Sequence, residues 1–90
     1  MKKIFIERNG REIEVTEKSI SGGSYTVDIE DIVKTKLSKC KIEDIMTASV
    51  SIDLYSDNVE KYYYPSKCYY FDSVESAKSF IETIQKYIKQ

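Results

Sequence analysis

Two segments between residues 3 and 16 alternate in side-chain character, and a turn signal lies between them. Asn9-Gly10 is the preferred pair for a type I′ turn, which needs positive φ angles. A two-residue loop at this pair places Ile6 opposite Ile13 and leaves Phe5 on the other face. The pattern therefore predicts a β-hairpin over residues 3–16. Its shared apolar face would consist of Ile4, Ile6, Ile13 and Val15.

The next segment carries weaker signals. Residues 17–24 are polar and include Gly22-Gly23, which predicts a turn. Alternation resumes over residues 24–29, where Tyr25 and Val27 fall on the same side. We therefore expect a third strand over residues 24–29.

Residues 29–39 allow two interpretations. Their apolar positions have helical spacing, but Ile29-Glu30-Asp31-Ile32 recurs as Ile42-Glu43-Asp44-Ile45 thirteen positions later. At about 100° per residue, thirteen steps rotate the second copy roughly 140° from the first, so one helix cannot bury both. The copies belong to different elements or to short turns that close strands. Both a helix over residues 29–39 and a strand–turn–strand path remain open.

Alternation returns in the second half of the chain. Residues 47–55 read as a strand, and the turn residues 56–58 lead into a predicted partner strand over residues 59–64. A two-residue loop would place Ile52 opposite Tyr63, and a three-residue loop would place it opposite Tyr64. Pro65 marks a bend or an edge, because proline cannot donate to a ladder.

The last element is a predicted helix over residues 72–89. Asp72 or Ser73 can cap its start. Apolar side chains form one stripe along it, which should lie on the apolar face of the sheet. We therefore expect the 90 residues to form one compact α+β domain, with a small antiparallel sheet built from hairpins and packed against this helix. The stripe consists of Val74, Ala77, Phe80, Ile81, Ile84 and Ile88.

Charge and composition limit the kinds of partner and the cellular location that we expect for this protein. Fourteen basic and fifteen acidic residues give a net charge of −1, which argues against nucleic acid or anionic lipid as the main partner. The apolar runs are too short for a transmembrane segment. Cys40 and Cys68 are too few for a disulfide framework, and with no export signal they are expected to be reduced. These features predict a cytoplasmic protein.

Residues typical of catalysis are scarce. The chain has no histidine, no Cys-x-x-Cys and no glycine-rich phosphate loop. The acidic residues lack the pattern of a calcium loop. We therefore predict a non-enzymatic protein without a cofactor or a metal. One short cationic run is a candidate anion-binding site, with a solvated basic face as the alternative. It consists of Lys34, Lys36, Lys39 and Lys41.

The most conspicuous feature is the tyrosine segment, residues 62–71. Alternation places Tyr62, Tyr64 and Tyr70 on one face and Tyr63, Tyr69 and Phe71 on the other. One helix covers one face of a small sheet, so the other set should meet solvent, a second copy or a partner. Tyrosine is enriched at interfaces. The candidate partner-binding residues are Tyr62, Tyr63, Tyr64, Tyr69 and Tyr70.

The layout resembles small bacterial pleckstrin-homology-like domains. Hairpins come first, Ile29-Glu30-Asp31-Ile32 follows the third strand, and Phe71-Asp72-Ser73-Val74-Glu75 leads into the last helix. The resemblance implies seven strands, a short acidic cap and one helix that closes one end of a curved sheet. It also implies a role in binding proteins or lipids, without common catalytic residues. A real helix over residues 29–39 would instead give a β-β-α-β-β-α sandwich.

The sequence thus favours a protein-interaction module that uses the tyrosine segment to contact another protein or a second copy of the chain. The alternative is a small inhibitor or regulator of the kind mobile elements encode. Such a protein would mask a host enzyme or a nucleic-acid site.

Overall fold

In the computed structural model, which describes residues 2–22, 26–55, 61–62 and 64–89, seven strands form two antiparallel sheets and a helix follows them. The first sheet has the order β1-β2-β3-β4 and the second has the order β5-β6-β7. This architecture confirms the predicted α+β class. The first sheet contains β1 (Lys3–Ile6), β2 (Glu12–Val15), β3 (Ser19–Ser21) and β4 (Val27–Asp28). A 3₁₀ turn (Ile29–Asp31) precedes β5 (Ile32–Ile42), β6 (Ile45–Leu54), β7 (Ser66–Phe71) and α1 (Val74–Ile88).

The β1–β2 hairpin exists, but its predicted register is wrong by one residue. Its loop has three residues, 8–10, because Gly10 N donates to Glu7 O and Glu7 N donates to Arg11 O, each at 2.9 Å. Gly10 has a φ of 86°, while Asn9 keeps a negative φ, so the turn is a type I turn with a glycine bulge. Phe5 consequently lies opposite Ile13.

This shift of one residue reverses the two faces of β1. Phe5 and its neighbours on β2 are buried, whereas Ile4 and Ile6 are 51% and 61% exposed. Burial of the phenylalanine has a clear cause, since its ring meets that of Phe80 edge-on with the centroids 5.2 Å apart. Packing of Phe5 against the helix therefore determines the register of the β1–β2 hairpin, which the local sequence pattern does not.

The segment predicted as a turn contains a short strand. β3 lies between β2 and β4, and its Ile20 is fully buried. Of the strand predicted over residues 24–29, the described residues Val27 and Asp28 pair with β3, and the 3₁₀ turn follows at once. Tyr25 falls outside the described residues.

The two Ile-Glu-Asp-Ile copies form different turns, so the strand–turn–strand path is confirmed and the helix over residues 29–39 is wrong. The first copy is the 3₁₀ turn that leads into β5. The second copy closes the β5–β6 hairpin with a two-residue loop, in which Glu43 and Asp44 have φ values of 49° and 66°. Those positive angles are the ones that a type I′ turn requires.

The strand predicted over residues 47–55 is confirmed as β6, but its predicted partner is wrong. β6 pairs with β7, and Ile52 lies opposite Lys67 rather than a tyrosine. Lys61, Tyr62 and Tyr64 are outside any strand. Residues 56–60 and Tyr63 lie outside the described residues. Pro65 sits in the bend before β7, where its carbonyl accepts from Leu54 N at 2.7 Å.

Helix α1 confirms the last predicted element and joins both sheets. Ser73 caps it, since its Oγ accepts from Ser76 N at 3.1 Å. Phe80 is fully buried, and its ring lies 5.1 Å from that of Tyr69 and 5.0 Å from that of Phe71. Together with Phe5, these rings form the centre of the core. The helix thus fixes which side of β7 faces inward.

Candidate protein-interaction site

The structure divides the tyrosine segment into buried and exposed side chains. Tyr69 is fully buried and Tyr62 is 4% exposed, whereas Tyr64 and Tyr70 are 60% and 51% exposed. Tyr63 lies outside the described residues. Burial withdraws Tyr62 and Tyr69 from the candidate contact surface, because a partner cannot reach them without opening the core. Tyr64 and Tyr70 remain available.

Tyr62 is buried because its hydroxyl joins a polar cluster beside the 3₁₀ turn. The Tyr62 hydroxyl donates to Asp31 Oδ2 at 2.7 Å and accepts from Asp28 N at 3.0 Å. Lys61 Nζ lies 2.8 Å from Asp31 Oδ2 and 2.5 Å from Asp28 Oδ2. The ammonium group therefore compensates a carboxylate that is itself buried. This cluster fastens residues 61–62 to the 3₁₀ turn.

The same cluster makes the free energy of unfolding decrease at alkaline pH. Burial and the hydrogen bond to Asp31 raise the pKa of Tyr62. The hydrogen bonds to Asp28 and Asp31 raise the pKa of Lys61. A group with a raised pKa in the folded state binds its proton more tightly there than in the unfolded chain. Its contribution is fully present below the unfolded pKa, about 10 for tyrosine, and is lost as the pH rises through the folded value.

Replacing Tyr62 with phenylalanine should therefore flatten the alkaline loss of stability. At neutral pH we expect Tyr62→Phe to lower the free energy of unfolding by about 1–2 kcal/mol, because Asp31 loses a buried donor and Asp28 N loses an acceptor. Urea denaturation at a series of pH values from neutral to about 11 measures both effects. If the free energy of unfolding changed with pH in the same way for both proteins, Tyr62 would not be the source of the pH dependence.

Tyr70 lies beside the tip of the β1–β2 hairpin and lines a cavity there. The open cavity has a volume of about 530 Å³ and is lined by Glu7, Arg8, Asn9 and Tyr70, which we call the Tyr70 surface. Only Tyr70 of these four residues was predicted from the sequence.

Two hydrogen bonds, one between backbone groups and one to the Glu7 carboxylate, hold the hairpin loop against β7. Arg8 N donates to Tyr70 O at 2.8 Å, and Tyr70 N donates to Glu7 Oε1 at 3.2 Å. The Arg8 guanidinium lies 5.8 Å from the centroid of the Tyr70 ring. Its nitrogens also lie 3.5 Å from Phe71 O and 3.8 Å from Asp72 Oδ1. The loop therefore provides hydrogen-bond partners for both the N–H and the C=O of Tyr70 on the outer edge of β7. These two bonds fix the position of the Tyr70 backbone.

The outer face of the second sheet continues from Tyr70 as a polar surface. A hydrogen bond with the Cys68 side chain raises the pKa of Tyr70. Ser51 Oγ lies 3.9 Å from Cys68 Sγ on the neighbouring strand.

The two cysteines cannot bridge in this fold. Cys40 lies opposite Thr47, and Cys68 lies opposite Ser51, so β6 runs between them. Two strand spacings of about 4.8 Å each exceed the roughly 7 Å that a disulfide allows between Cα atoms. Both thiols are free, and that of Cys40 is exposed.

The predicted cationic run lies along β5, the edge strand of the second sheet. Because side chains alternate along a strand, Lys34 and Lys36 share one face, while Lys39 and Lys41 share the other. The structure therefore does not bring the four lysines onto one surface. Lysines are a common protection of exposed strand edges against pairing with other chains. Lys41 also lies 3.8 Å from Asp44.

The described residues contain neither a clustered set of metal ligands nor a helix that could span a membrane. No group of three or more histidine, cysteine, aspartate or glutamate side chains there is arranged to hold a metal ion. Asp28 and Asp31 do converge, but on the Lys61 ammonium. No described helix combines the length and the hydropathy needed to cross a membrane.

Comparisons with protein-family models, with curated proteins and with solved structures each gave no match. Among the exposed side chains, Tyr70 is distinguished by a fixed arginine over its ring and a cavity beside it.

Proposed function

We propose that this domain is a non-enzymatic protein-interaction module that contacts its partner through the Tyr70 surface. One observation carries the proposal: an exposed tyrosine ring is held beneath an arginine at the rim of a cavity of about 530 Å³. Tyrosine and arginine are among the residue types that most often dominate binding energy at protein interfaces. The cavity offers a place for a partner side chain next to them.

The geometry favours tight binding because the surface is organised before a partner arrives. The hydrogen bonds from Arg8 N and to Glu7 Oε1 hold Tyr70 in place. A partner then needs to order fewer side chains, which lowers the cost of association. Glu7 and Asp72 offset the charge of Arg8, so the surface suits a protein of mixed charge better than a polyanion.

We further propose that the domain is pleckstrin-homology-like. Seven strands in two sheets, followed by a helix that packs across both, support this assignment. The resemblance implies a role in binding, which agrees with the proposed interaction module.

We also propose that the protein works in the cytoplasm. The exposed thiol of Cys40 and the half-buried thiol of Cys68 support a reducing compartment.

Substitution of Tyr70 tests the proposal against a matched control. Tyr70 and Tyr55 are 51% and 53% exposed, but only Tyr70 lines the cavity. We expect Tyr70→Ser to lose a partner that the parent protein and Tyr55→Ser both retain. Quantitative mass spectrometry after affinity capture from a lysate of the source organism measures this difference, and denaturation curves establish that both variants are folded.

Equal capture by the parent protein, Tyr70→Ser and Tyr55→Ser would exclude the Tyr70 surface as the contact. A loss with both variants would show a general effect of removing a surface tyrosine, and would also count against the proposal.

A further inference from the structure

Strand β5 presents a long edge to the solvent. It spans 11 residues and pairs with β6 on one side. No strand of the described chain pairs with its other side. The far edge of the same sheet differs, because Arg8 N donates to Tyr70 O and thereby covers part of β7. Free N–H and C=O groups along an edge are a template for another chain, so folded proteins usually keep such edges short or covered.

The β5–β6 hairpin determines which backbone groups of this edge are free. Its two-residue loop closes on the pair of Ile42 and Ile45, and the carbonyl of the first accepts from the amide of the second across such a turn. Along an antiparallel ladder, pairs that exchange hydrogen bonds alternate with pairs that do not. The N–H and C=O groups that point away from β6 therefore belong to Thr35, Leu37, Lys39 and Lys41.

On the outer face of the second sheet, two lysines of this edge share one carboxylate. Asp53 of β6 lies directly opposite Lys34 and diagonal to Lys36. Lys36 itself lies opposite Ser51. Because β5 contains no acidic residue, the outer face of the edge keeps an excess of positive charge.

The inner face of the edge has the same excess. Lys41 Nζ lies 3.8 Å from Asp44 Oδ1, whereas Lys39 lies opposite Ala48. Lys36 and Lys39 are three residues apart and therefore point to opposite faces of the sheet. A compact anion bound on one face reaches only half of the positive charge.

A strand added to this edge reaches both faces at once, because its own side chains alternate between them. A second β5 is a poor candidate, since it brings further lysines and no acidic residue. Lysines along an edge oppose pairing with most chains, but opposite charges on facing strands attract. The charge of the edge therefore selects an acidic strand.

We propose that the free edge of β5 binds an extended acidic segment of a partner protein as an additional antiparallel strand. The acidic side chains of this segment lie opposite Lys34 and Lys36 on the outer face. They lie opposite Lys39 and Lys41 on the inner face. An apolar side chain lies opposite Leu37, which packs against the core.

The spacing of the lysines specifies the sequence of the segment. From its amino end, the pattern is acidic-x-acidic-x-apolar-acidic-x-acidic, because the strand runs antiparallel to β5. The odd step from Lys36 to Lys39 moves the acidic side chains from one face to the other. A strictly alternating acidic strand keeps all of them on one face, so it matches only two of the four lysines in any register.

Two synthetic peptides with the same composition and charge test this specificity. The matched peptide is Glu-Thr-Glu-Thr-Val-Glu-Thr-Glu, and the alternating peptide is Glu-Thr-Glu-Thr-Glu-Thr-Glu-Val. Each is added to the full chain at up to about 5 mM in low salt, which detects dissociation constants of about 1 mM. We expect the alternating peptide to bind about fivefold more weakly, because it forms two fewer cross-strand charge pairs.

Amide hydrogen exchange followed by nuclear magnetic resonance locates the bound peptide. The amides of Leu37 and Lys39 point away from β6, so the matched peptide should slow their exchange at least tenfold. The amide of Ser38 points towards β6 and should change much less. This alternation along β5 distinguishes an added strand from a peptide that is merely attracted to the lysine side chains.

Reversal of one charge tests the predicted register. Lys39→Glu should bind the matched peptide about fivefold more weakly than the parent protein does. A peptide with lysine in place of its third residue, which faces position 39, should restore the binding. Lys78→Glu is the control, because Lys78 is exposed on α1, away from the edge. It should bind as the parent protein does, and so should Tyr70→Ser, because the edge lies apart from the Tyr70 surface.

Several results would overturn the proposal. Unchanged exchange at Leu37 and Lys39 with about 5 mM matched peptide would exclude an added strand of this affinity. Equal binding of the two peptides, or equal weakening by Lys39→Glu and Lys78→Glu, would show non-specific attraction to positive charge. Protection of the edge amides that rises with protein concentration in the absence of peptide would show that a second copy pairs there instead. The comparison of the two peptides uses the parent protein, so it does not depend on the folding of any variant.

Discussion

Replacing Phe80 with alanine is expected to lower the free energy of unfolding by about 4 kcal/mol. Phe80 is fully buried, and its ring packs against Phe5 of the first sheet and against Tyr69 and Phe71 of the second. Truncation leaves a cavity at a point where the helix joins both sheets. For a small domain with a total stability of about 5–15 kcal/mol, this loss is a large fraction of the whole.

Urea denaturation of Phe80→Ala and Tyr55→Ala measures the difference. Tyr55 is also aromatic but 53% exposed, so its truncation should cost no more than about 0.5 kcal/mol. Comparable losses for the two variants would mean that Phe80 is not the centre of the core.

Replacing Phe5 with alanine should cost about 3 kcal/mol, whereas Ile6→Ala should cost less than about 1 kcal/mol. The three-residue loop turns Phe5 inward onto Phe80 and leaves Ile6 61% exposed. A two-residue loop would bury Ile6 and expose Phe5, which would reverse the order of the two effects. Comparing the stabilities of the two variants therefore shows which register the hairpin adopts.

Thermal or urea unfolding of both variants under the same conditions provides the comparison. A larger loss of stability for Ile6→Ala than for Phe5→Ala would support the register expected from the sequence. It would also separate Arg8 from Tyr70, because the docking of the loop on β7 depends on the loop length.

Local patterns predicted the elements whose signals are long and regular. Helix α1 has an uninterrupted apolar stripe and a serine cap, and β6 alternates over most of its length. The two Ile-Glu-Asp-Ile copies were also informative, because their spacing excluded one continuous helix. β3 was missed because a strand with the single apolar residue Ile20 has no visible alternation.

The register of the first hairpin depends on information outside it. Asn9-Gly10 fits a type I′ turn as well as a type I turn with a glycine bulge. Both faces of β1 are apolar, with Ile4 and Ile6 on one and Phe5 on the other. Packing against Phe80, which is remote in sequence, decides between them.

The candidate site was predictable only in part. Alternation along the tyrosine segment correctly indicated that one set of rings must face outward, and Tyr69 and Tyr70 do point to opposite sides of β7. Tyr62 departs from this pattern, because the bend at Pro65 breaks the strand before it. The contact of Tyr70 with Glu7 joins residues 63 positions apart, which no local pattern reveals.

The arrangement of the lysines in the cationic run could not be predicted from the sequence either. A helix over residues 29–39 would have gathered several of its lysines on neighbouring faces, but a strand divides them strictly between two sides. Because β5 is an edge strand, Lys34 and Lys36 lie where charged side chains generally oppose unwanted strand pairing. The secondary structure of that one segment therefore changes the interpretation of the charge.

The measurement that tests the proposed interaction most directly is the affinity of the captured partner, determined by isothermal titration calorimetry for the parent protein, Tyr70→Ser and Tyr55→Ser. A tyrosine that dominates its interface contributes about 2 kcal/mol or more, so Tyr70→Ser should bind roughly 30-fold more weakly. Tyr55→Ser should bind within about twofold of the parent protein. Equal dissociation constants for all three folded proteins would contradict a contact through the Tyr70 surface.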